Sequence, residues 1–300
     1  MIILRFDAGL GNQMLQYASY RALQLRYPGI KVRADIRAYN YARIHNGMEL
    51  ERIFPVKLDV VIGKRTKRAS GISRYWYFAM YKITHAFLKL GLPGFRFIKD
   101  TGRYNAGLRE LKPGTLYYLE GQWGNPAYFE EYADVIRKEL TFRIPLDEVN
   151  EKRAQSIRSG TSVSVHIRRG DYVNNALGFF ELSTSDYYPN AFKYMKEKAG
   201  DAVFYIISDN PEWCRTNLAW LADYKHEFIT GNSGDNSYKD LQLMSMCKHN
   251  ILANSTFSWW GGFLNPNNDK TVICPLRLFS DPEKSKRITE EFYPKSWLKM

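Results

Sequence analysis

The sequence predicts an α/β protein in which parallel strands alternate with helices. Short β-branched and apolar runs alternate along the chain with segments of helical periodicity, which is typical of parallel sheets covered by helices on both faces. The length of 300 residues fits two domains or one large α/β domain. Apolar residues make up 45% of the chain and charged residues 25%, a globular composition that excludes a disordered protein.

The first half begins with a strand, a turn and a helix. The apolar run 2–6 predicts a strand, and the glycines at 9 and 11 predict the turn that follows it. Residues 12–27 then show a helical repeat that ends before Pro28. The apolar face of this helix consists of Met14, Ala18, Ala22 and Leu25. A second helix is predicted over 128–140.

The second half repeats the alternation. The run 161–167 is rich in β-branched residues and predicts a buried strand. The elements predicted after it are a helix over 185–195, a strand over 202–208, a helix over 241–247, and strands over 250–253 and 271–274. The polar stretch 147–160 separates the two halves, so we expect a boundary near residue 150 between domains 1–150 and 151–300.

Positive charge is concentrated in one segment. The formal net charge is +12, and residues 52–103 contain 12 Lys and Arg residues but only 2 acidic ones. Aromatic residues are interleaved with these cations between 64 and 97. The pattern fits a solvated basic face over an aromatic core, a patch that contacts an anionic membrane, or a nucleic-acid site. The sequence leaves these three interpretations open.

Several protein classes are disfavoured. The longest uncharged run, 249–268, is too polar for a transmembrane span, and the first residues lack the basic region of a signal peptide. Cys214, Cys247 and Cys274 are too few and too scattered for a disulfide framework or a zinc site. We therefore expect free thiols in the core of a cytoplasmic protein.

A cationic segment, His166-Ile167-Arg168-Arg169-Gly170-Asp171, follows the most strongly predicted strand. Ligands of open α/β sheets bind beyond the carboxyl ends of strands. Arg168 and Arg169 at such an end predict an anion, because a guanidinium matches phosphate oxygens in a bidentate way. His166 alternates with Arg168 on one face and suits contact with a base or ribose. The alternative is a surface ion pair of either arginine with Asp171.

Three further segments carry groups that suit a ligand. The turn with Gly11 and Asn12 allows close backbone approach at a helix start, although an ordinary turn explains it as well. Asp209 ends a predicted strand, where it accepts hydrogen bonds from a nucleoside or closes an Asx turn. Residues 255–257 begin a helix, so they bind phosphate or simply cap that helix.

No metal site is predicted. No two aspartates lie two residues apart, so the chain lacks an Asp-x-Asp pair to hold a divalent cation on a diphosphate. Arginines and helix ends would have to neutralise such a group instead.

Three blocks in order resemble the bacterial α-1,2-fucosyltransferases of glycosyltransferase family 11. They are GLGNQM at 9–14, HIRRGDY at 166–172 and ILANSTFSWWGGFL at 251–264. The resemblance spans nearly the whole chain. It implies a GT-B-like architecture of two Rossmann-type domains, with the active site in the cleft between them. Domain 1–150 would face the acceptor, and domain 151–300 would bind GDP-fucose.

The same resemblance implies an activity. The expected reaction is an inverting transfer of L-fucose from GDP-β-L-fucose to the 2-hydroxyl of a terminal galactose, in O-antigen or other surface glycan synthesis. It forms an α-1,2 linkage and needs no metal or other cofactor. The expected partners are GDP-fucose and a galactoside, without nucleic acid. The basic and aromatic residues of 64–97 add the expectation that this cytoplasmic enzyme contacts the inner face of the membrane.

Individual roles follow from the resemblance. Arg168 and Arg169 match diphosphate contacts, with Arg168 stabilising the leaving β-phosphate. The remaining matches are His166 and Asp209 for guanine, Ser255, Thr256 and Phe257 for phosphate and nucleoside, and Gly11 for donor binding. Asn12 matches a residue near fucose and acceptor and is a candidate catalytic residue. The candidate general bases are Asp171, Glu181 and Asp7. The chain departs from the family at Asp7-Ala8, where a Gly usually precedes the Gly-Leu-Gly turn.

Two other functional classes remain. The charge alone fits a basic protein that binds nucleic acid, and the motifs also fit a module that binds a nucleotide sugar without turnover. Selective stabilisation by GDP argues against the first class, and release of GDP with an acceptor argues against the second.

Overall fold

Two compact units, Met1–Arg143 and Ile144–Met300, make up the chain in the computed structural model. The structure describes residues 1–42, 44–63, 72–90, 92–170 and 178–300. Each unit is built on its own sheet, and every pair of neighbouring strands in the two sheets is parallel. The predicted α/β class with parallel strands is therefore confirmed.

The first unit contains a five-stranded sheet. Its strands are β1 (Ile2–Arg5), β2 (Val32–Asp35), β3 (Val60–Ile62), β4 (Phe95–Lys99) and β5 (Leu116–Glu120). Their order in the sheet is β3-β2-β1-β5-β4, so the predicted N-terminal strand is the central one. The side chains of Ile2 and Leu4 are fully buried, which accounts for the unbroken apolar run.

Within the described residues, four helices of the first unit separate its strands along the chain, and a fifth follows β5. They are α1 (Leu10–Arg26), α2 (Ala38–Tyr41), α3 (Leu50–Ile53), α4 (Ile72–Lys89) and α5 (Ala133–Glu139). Helix α1 confirms the predicted helix, and Met14, Ala18 and Ala22 of its predicted apolar face are fully buried. The helix predicted over 128–140 begins only at Ala133, because short 3-10 turns occupy Pro126–Tyr128 and Glu130–Tyr132.

The second unit contains a six-stranded sheet. Its strands are β6 (Ser162–Ile167), β7 (Val203–Ser208), β8 (His226–Ile229), β9 (His249–Ile251), β10 (Val272–Cys274) and β11 (Leu298–Lys299). Their order is β11-β10-β9-β6-β7-β8. Every residue of β6 is buried, as expected for an inner strand of a parallel sheet.

Helices flank the second sheet. They are α6 (Glu148–Ser159), α7 (Tyr187–Ala199), α8 (Pro211–Asn217), α9 (Tyr238–Met246), α10 (Thr256–Leu264) and α11 (Pro282–Phe292). The polar stretch 147–160 is helix α6 and not a linker. The carboxylate of Asp147 caps it by accepting from the backbone N–H of Asn150 at 2.9 Å, while Ala154 and Ile157 are fully buried. The units divide a few residues earlier, after Arg143.

The three cysteines lie in the core of the second unit as free thiols, as predicted. Burial raises the pKa of the Cys247 thiol and raises that of Cys274 to about 12, so both stay protonated and unreactive at neutral pH. In the part of the chain that the structure describes, no helix combines the length and apolarity needed to cross a bilayer.

Candidate active site

Three neighbouring strands of the second sheet bring the described residues of the predicted nucleotide site in this unit to one edge. Because β9, β6 and β7 are parallel neighbours, their carboxyl ends lie side by side. Residues 168–170 follow β6, Asp209 follows β7, and residues 254–256 follow β9. The ring centroids of His166 and Phe257 are 5.8 Å apart, which places the start of α10 beside the end of β6.

Asp209 ties the loop after β6 to the end of β7. Its Oδ1 accepts a hydrogen bond from the backbone N–H of Arg169 at 2.9 Å, and its Oδ2 accepts one from Gly170 at 3.0 Å. The Oδ2 atom also forms an ion pair with Nη1 of Arg168 at 3.0 Å. Both carboxylate oxygens are therefore engaged within the protein, and one of them holds the guanidinium of Arg168.

Arg168 is the cation that this loop presents at the sheet edge. Its side chain is 30% exposed, although the ion pair with Asp209 fixes the guanidinium. A Cβ at Gly170 would lie 2.7 Å from Oδ2 of Asp209, so only glycine lets the loop come this close to the carboxylate. A guanidinium that is both ordered and accessible suits the oxygens of a phosphate.

Arg169 takes a different direction from Arg168. Its Nη1 donates to Oε1 of Glu181 at 2.7 Å and to the hydroxyl of Ser183 at 2.8 Å. Its Cζ lies 3.3 Å from the ring centroid of Trp213, and only 11% of its side chain is exposed. Although Arg168 and Arg169 are adjacent in sequence, their guanidinium groups therefore do not form one joint anion-binding site. Glu181, a candidate base, already accepts from Arg169 and Ser183 through one oxygen.

His166 is buried at the end of β6. Burial, assisted by the positive charge of Arg168, lowers the pKa of His166 to about 3, so the imidazole is neutral at physiological pH. The hydroxyl of Tyr188 donates to the backbone carbonyl of His166 at 2.7 Å and holds the strand end. Among the residues that the structure describes, Nδ1 of His166 has no hydrogen-bond partner. A neutral ring with an unused nitrogen suits contact with a nucleoside.

Acid should weaken the fold partly through His166. The unfolded side chain takes up a proton near pH 6.5 and the folded one only near pH 3, so the unfolded state binds more protons between these values. The stability present above pH 6.5 is lost as the pH falls through that window, by up to about 1.4 kcal/mol per pH unit. Chemical denaturation of the wild type and of His166→Gln measures this slope. We expect a shallower slope in the variant, and equal slopes would contradict the buried neutral imidazole.

Helix α10 begins at the same edge. The hydroxyl of Ser255 accepts from the backbone N–H of Phe257 at 3.3 Å, so the predicted capping role is present. No acidic residue lies in the first turn of α10, and Ser255, Thr256 and Phe257 are half-buried. The positive end of this helix is therefore not neutralised by its own side chains, which favours an anion there.

The first turn of α1 contains Gly11 and Asn12 at the carboxyl end of β1. Within the described parts of the chain, Oδ1 of Asn12 is buried without a hydrogen-bond partner. Gln13 holds this turn in place, because its side-chain amide donates hydrogen bonds to the backbone carbonyls of Ala8 at 3.1 Å and Gly47 at 2.8 Å. Ala8 has a φ of 64°, a left-handed conformation that glycine adopts more readily than alanine.

A charged cluster lies at the carboxyl edge of the first sheet. Arg5 forms ion pairs with Oδ2 of Asp7 at 3.1 Å and with Oε2 of Glu120 at 2.8 Å. Nε2 of His85 lies 2.8 Å from the same oxygen of Glu120. Burial raises the pKa of Asp7, a candidate base, although Arg5 and Gln16 partly offset this effect. Glu120 and His85 were not predicted from the sequence. Glu120 ends the apolar run LYYLE, which indicates a strand end, whereas no sequence pattern marks His85 on its helix.

Two predictions about the site stay open. Asp171, a candidate catalytic residue, lies outside the described residues. Over the described ranges of the chain, no three His, Cys, Asp or Glu side chains are grouped as metal ligands would be. The absence of a metal requirement stays a prediction.

Comparison with known families now adds to this geometry. The model of glycosyl transferase family 11 matches residues 106–300. The chain belongs to glycosyltransferase family 11. It is 32% identical to an alpha-1,2-colitosyltransferase of Escherichia coli, with 100% of this chain and 99% of that protein covered. It is 30% identical to the Escherichia coli O-antigen biosynthesis glycosyltransferase WbnK, with 93% and 95% covered.

The family 11 glycosyltransferase also resembles a eukaryotic enzyme and a solved structure. It is 31% identical to a galactoside 2-alpha-L-fucosyltransferase of Caenorhabditis elegans over 61% of this chain and 52% of that protein. A mutant of Arabidopsis thaliana FUT1 in complex with GDP matches 90% of this chain and 70% of its own with a TM-score of 0.51 and 11% identity. This likeness and the two parallel sheets confirm the predicted GT-B-like class with Rossmann-type domains.

Proposed function

We propose that this family 11 glycosyltransferase transfers L-fucose from GDP-β-L-fucose to the 2-hydroxyl of a terminal galactose, with inversion to an α-1,2 linkage. One observation carries the proposal: Asp209 holds the accessible guanidinium of Arg168 at the carboxyl edge of the second sheet, next to the neutral His166 and the start of α10. The name of the Caenorhabditis elegans relative supports fucose and a galactoside, and the name of the colitosyltransferase supports an α-1,2 linkage.

In this proposal the second unit binds the nucleotide. When the bond between fucose and phosphate breaks, negative charge builds up on the oxygens of the departing diphosphate. Arg168 donates two parallel N–H groups to these oxygens, and the first turn of α10 contributes backbone N–H groups. Because this charge grows towards the transition state, the fixed donors lower the activation free energy of transfer in addition to tightening the binding of the donor.

His166 and Phe257 would bind the nucleoside. The neutral imidazole hydrogen-bonds to guanine or ribose without adding a second positive charge beside Arg168. The Phe257 ring, 5.8 Å from that of His166, offers an apolar surface to the base. Arg169 supports the loop through Glu181 and Trp213 and would not itself reach the diphosphate.

The first unit would bind the galactoside. Its sheet edge carries Asn12 with its buried Oδ1, and the cluster of Arg5, Asp7 and Glu120. Attack by the galactose 2-hydroxyl requires a group that accepts its proton, and a carboxylate with a raised pKa suits that role better than an ordinary one. Of the candidate bases, Asp7 is the one that belongs to this unit.

A second donor has a specific observation in its favour. The relative that matches the whole chain is named as an alpha-1,2-colitosyltransferase, and colitose is fucose without its 3-hydroxyl. A site that hydrogen-bonds the 3-hydroxyl rejects the deoxy sugar by about 10⁴-fold or more, whereas an apolar site prefers the deoxy sugar by only about 10²-fold. The ratio of kcat/KM for GDP-fucose and GDP-colitose therefore decides which sugar is the substrate.

The test is a transfer assay in EDTA with GDP-fucose and lactose. We expect release of GDP that depends on the acceptor, and an α-1,2-linked product by NMR. A matched acceptor, 2-deoxygalactoside, should give no transfer because the attacking oxygen is missing. Binding of GDP without any acceptor-dependent release would favour a binding module, and turnover that disappears in EDTA would overturn the metal-free mechanism.

A further inference from the structure

Helix α4 turns its polar side towards the first sheet. Three of its side chains contact charged residues at the carboxyl edge of that sheet. The contacts join Tyr81 to Arg5 at 3.0 Å, Thr84 to Arg37 at 3.1 Å and His85 to Glu120 at 2.8 Å. A surface helix ordinarily buries its apolar stripe and exposes its polar residues. Helix α4 has the opposite arrangement.

The outer face of α4, defined by Tyr75, Trp76, Ile83 and Phe87, is apolar and open to solvent. The exposed fractions of these side chains are 73%, 62%, 54% and 59%. Trp76, Ile83 and Phe87 lie seven and four residues apart, so they form one stripe along the helix. Contiguous exposed apolar surface of this kind marks an interaction site. Tyr75, Trp76 and Phe87 therefore contradict the interpretation that the aromatic residues of this segment form a core under a basic face, whereas Tyr81 and Phe97 are half-buried and pack within the unit.

The charge around the outer face indicates the chemistry of its partner. Residues 60–99 contain nine Lys and Arg residues and no Asp or Glu. Among the described cations, Arg74, Lys82 and Arg96 are exposed. The ammonium of Lys82 lies 5.5 Å from the ring centroid of Phe78, so cation and aromatic surface are contiguous. The four basic residues of 64–70 are included in this count from the sequence, and they lie outside the residues that the structure describes.

We propose that the outer face of α4 docks on the surface of an anionic phospholipid bilayer. Trp and Tyr side chains favour the boundary between headgroups and acyl chains, Ile83 and Phe87 reach the acyl region, and the cations meet lipid phosphates. Two copies of this chain would bring like charges together at this face, which disfavours self-association. Nucleic-acid sites stack bases on rings within a cationic groove, whereas the rings of this face lie on the outside of a helix and share it with Ile83.

Flotation of the full chain with phospholipid vesicles tests the proposal. We expect binding to phosphatidylcholine vesicles that contain phosphatidylglycerol, weak binding to phosphatidylcholine alone, and release at high salt. Lys82→Gln should weaken partitioning about five-fold and Trp76→Ser on the order of ten-fold. Val149→Ser is the matched control, because Val149 is 60% exposed but lies on α6 of the other unit. Its partitioning should equal that of the wild type.

Fluorescence gives a positional readout. Acyl chains brominated near the headgroup should quench Trp76, and Trp76→Phe should remove this quenching while keeping most of the flotation, because Phe preserves the apolar surface. The proposal is overturned if the vesicles do not bind, or if they bind equally well after Trp76→Ser. It is also overturned if Trp76→Ser abolishes binding to an oligonucleotide, or dissociates a dimer in light scattering, without changing flotation. None of these readouts depends on transferase activity.

Discussion

Arg168→Ala should lower kcat/KM for fucosyl transfer on the order of 10²–10³-fold. The Arg168 side chain is 30% exposed at the sheet edge and is fixed by its 3.0 Å ion pair with Asp209, so in the proposed reaction it is preorganised for the charge of the departing diphosphate. Arg168→Lys should fail nearly as badly, because an ammonium cannot reproduce two parallel hydrogen bonds. Initial rates at saturating acceptor measure both variants.

The matched control for Arg168 is Arg158→Ala. Arg158 lies on α6 of the same unit, pairs with Glu151 at 3.2 Å and is 51% exposed, so its loss removes the same charge away from the edge. Its kcat/KM should stay within about two-fold of the wild type, because a surface ion pair contributes little. Near-normal turnover by Arg168→Ala, with an unchanged melting temperature, would contradict the role of this side chain.

Asp209→Asn should lower kcat by about 10²-fold while keeping the preference for GDP over ADP. The carboxylate accepts two backbone hydrogen bonds and pairs with Arg168, and an amide in its place turns an NH₂ group towards one of these donors. The loop then shifts, and a misplacement of about 1 Å is enough for such a loss. Rates and dissociation constants for GDP and ADP measure the two effects separately.

The same variant distinguishes the two roles of Asp209. If it contacts guanine, as the resemblance implies, Asp209→Asn should weaken GDP binding and reduce the preference for GDP over ADP. If Asp209 positions Arg168, the double variant Asp209→Asn/Arg168→Ala should have nearly the same kcat as Arg168→Ala alone, because both substitutions remove the same interaction. Additive losses would contradict the positioning role.

The second sheet was easier to predict from the sequence than the first. The runs that became β6 and β7 are continuous and buried, and they carry β-branched residues between turn signals. The strands β3 and β4 of the first sheet gave no such signal, because β3 has only three residues and β4 alternates cations with aromatic residues at an exposed edge. Strand β3 is fixed by its pairing with β2, and strand β4 by its pairing with β5. These partners are distant in sequence, so a local pattern does not predict the pairing.

The location of the candidate site could be predicted from the sequence, but the contacts between its side chains could not. The ends of β6, β7 and β9 could be expected at one edge because parallel strands end together. The sequence does not show that Arg169 turns to Glu181 and Trp213, or that both oxygens of Asp209 are occupied. Side-chain direction in a loop depends on neighbours distant in sequence, and two adjacent arginines therefore looked like one anion site.

Calorimetric titration with GDP in EDTA tests the central claim most directly, since it asks whether the edge with Arg168 and His166 binds a guanosine diphosphate. We predict one GDP per chain, bound more tightly than ADP or UDP, with a dissociation constant at least about ten-fold weaker in Arg168→Ala. Equal affinity for the three nucleotides, or an unchanged affinity for GDP in Arg168→Ala, would contradict the account.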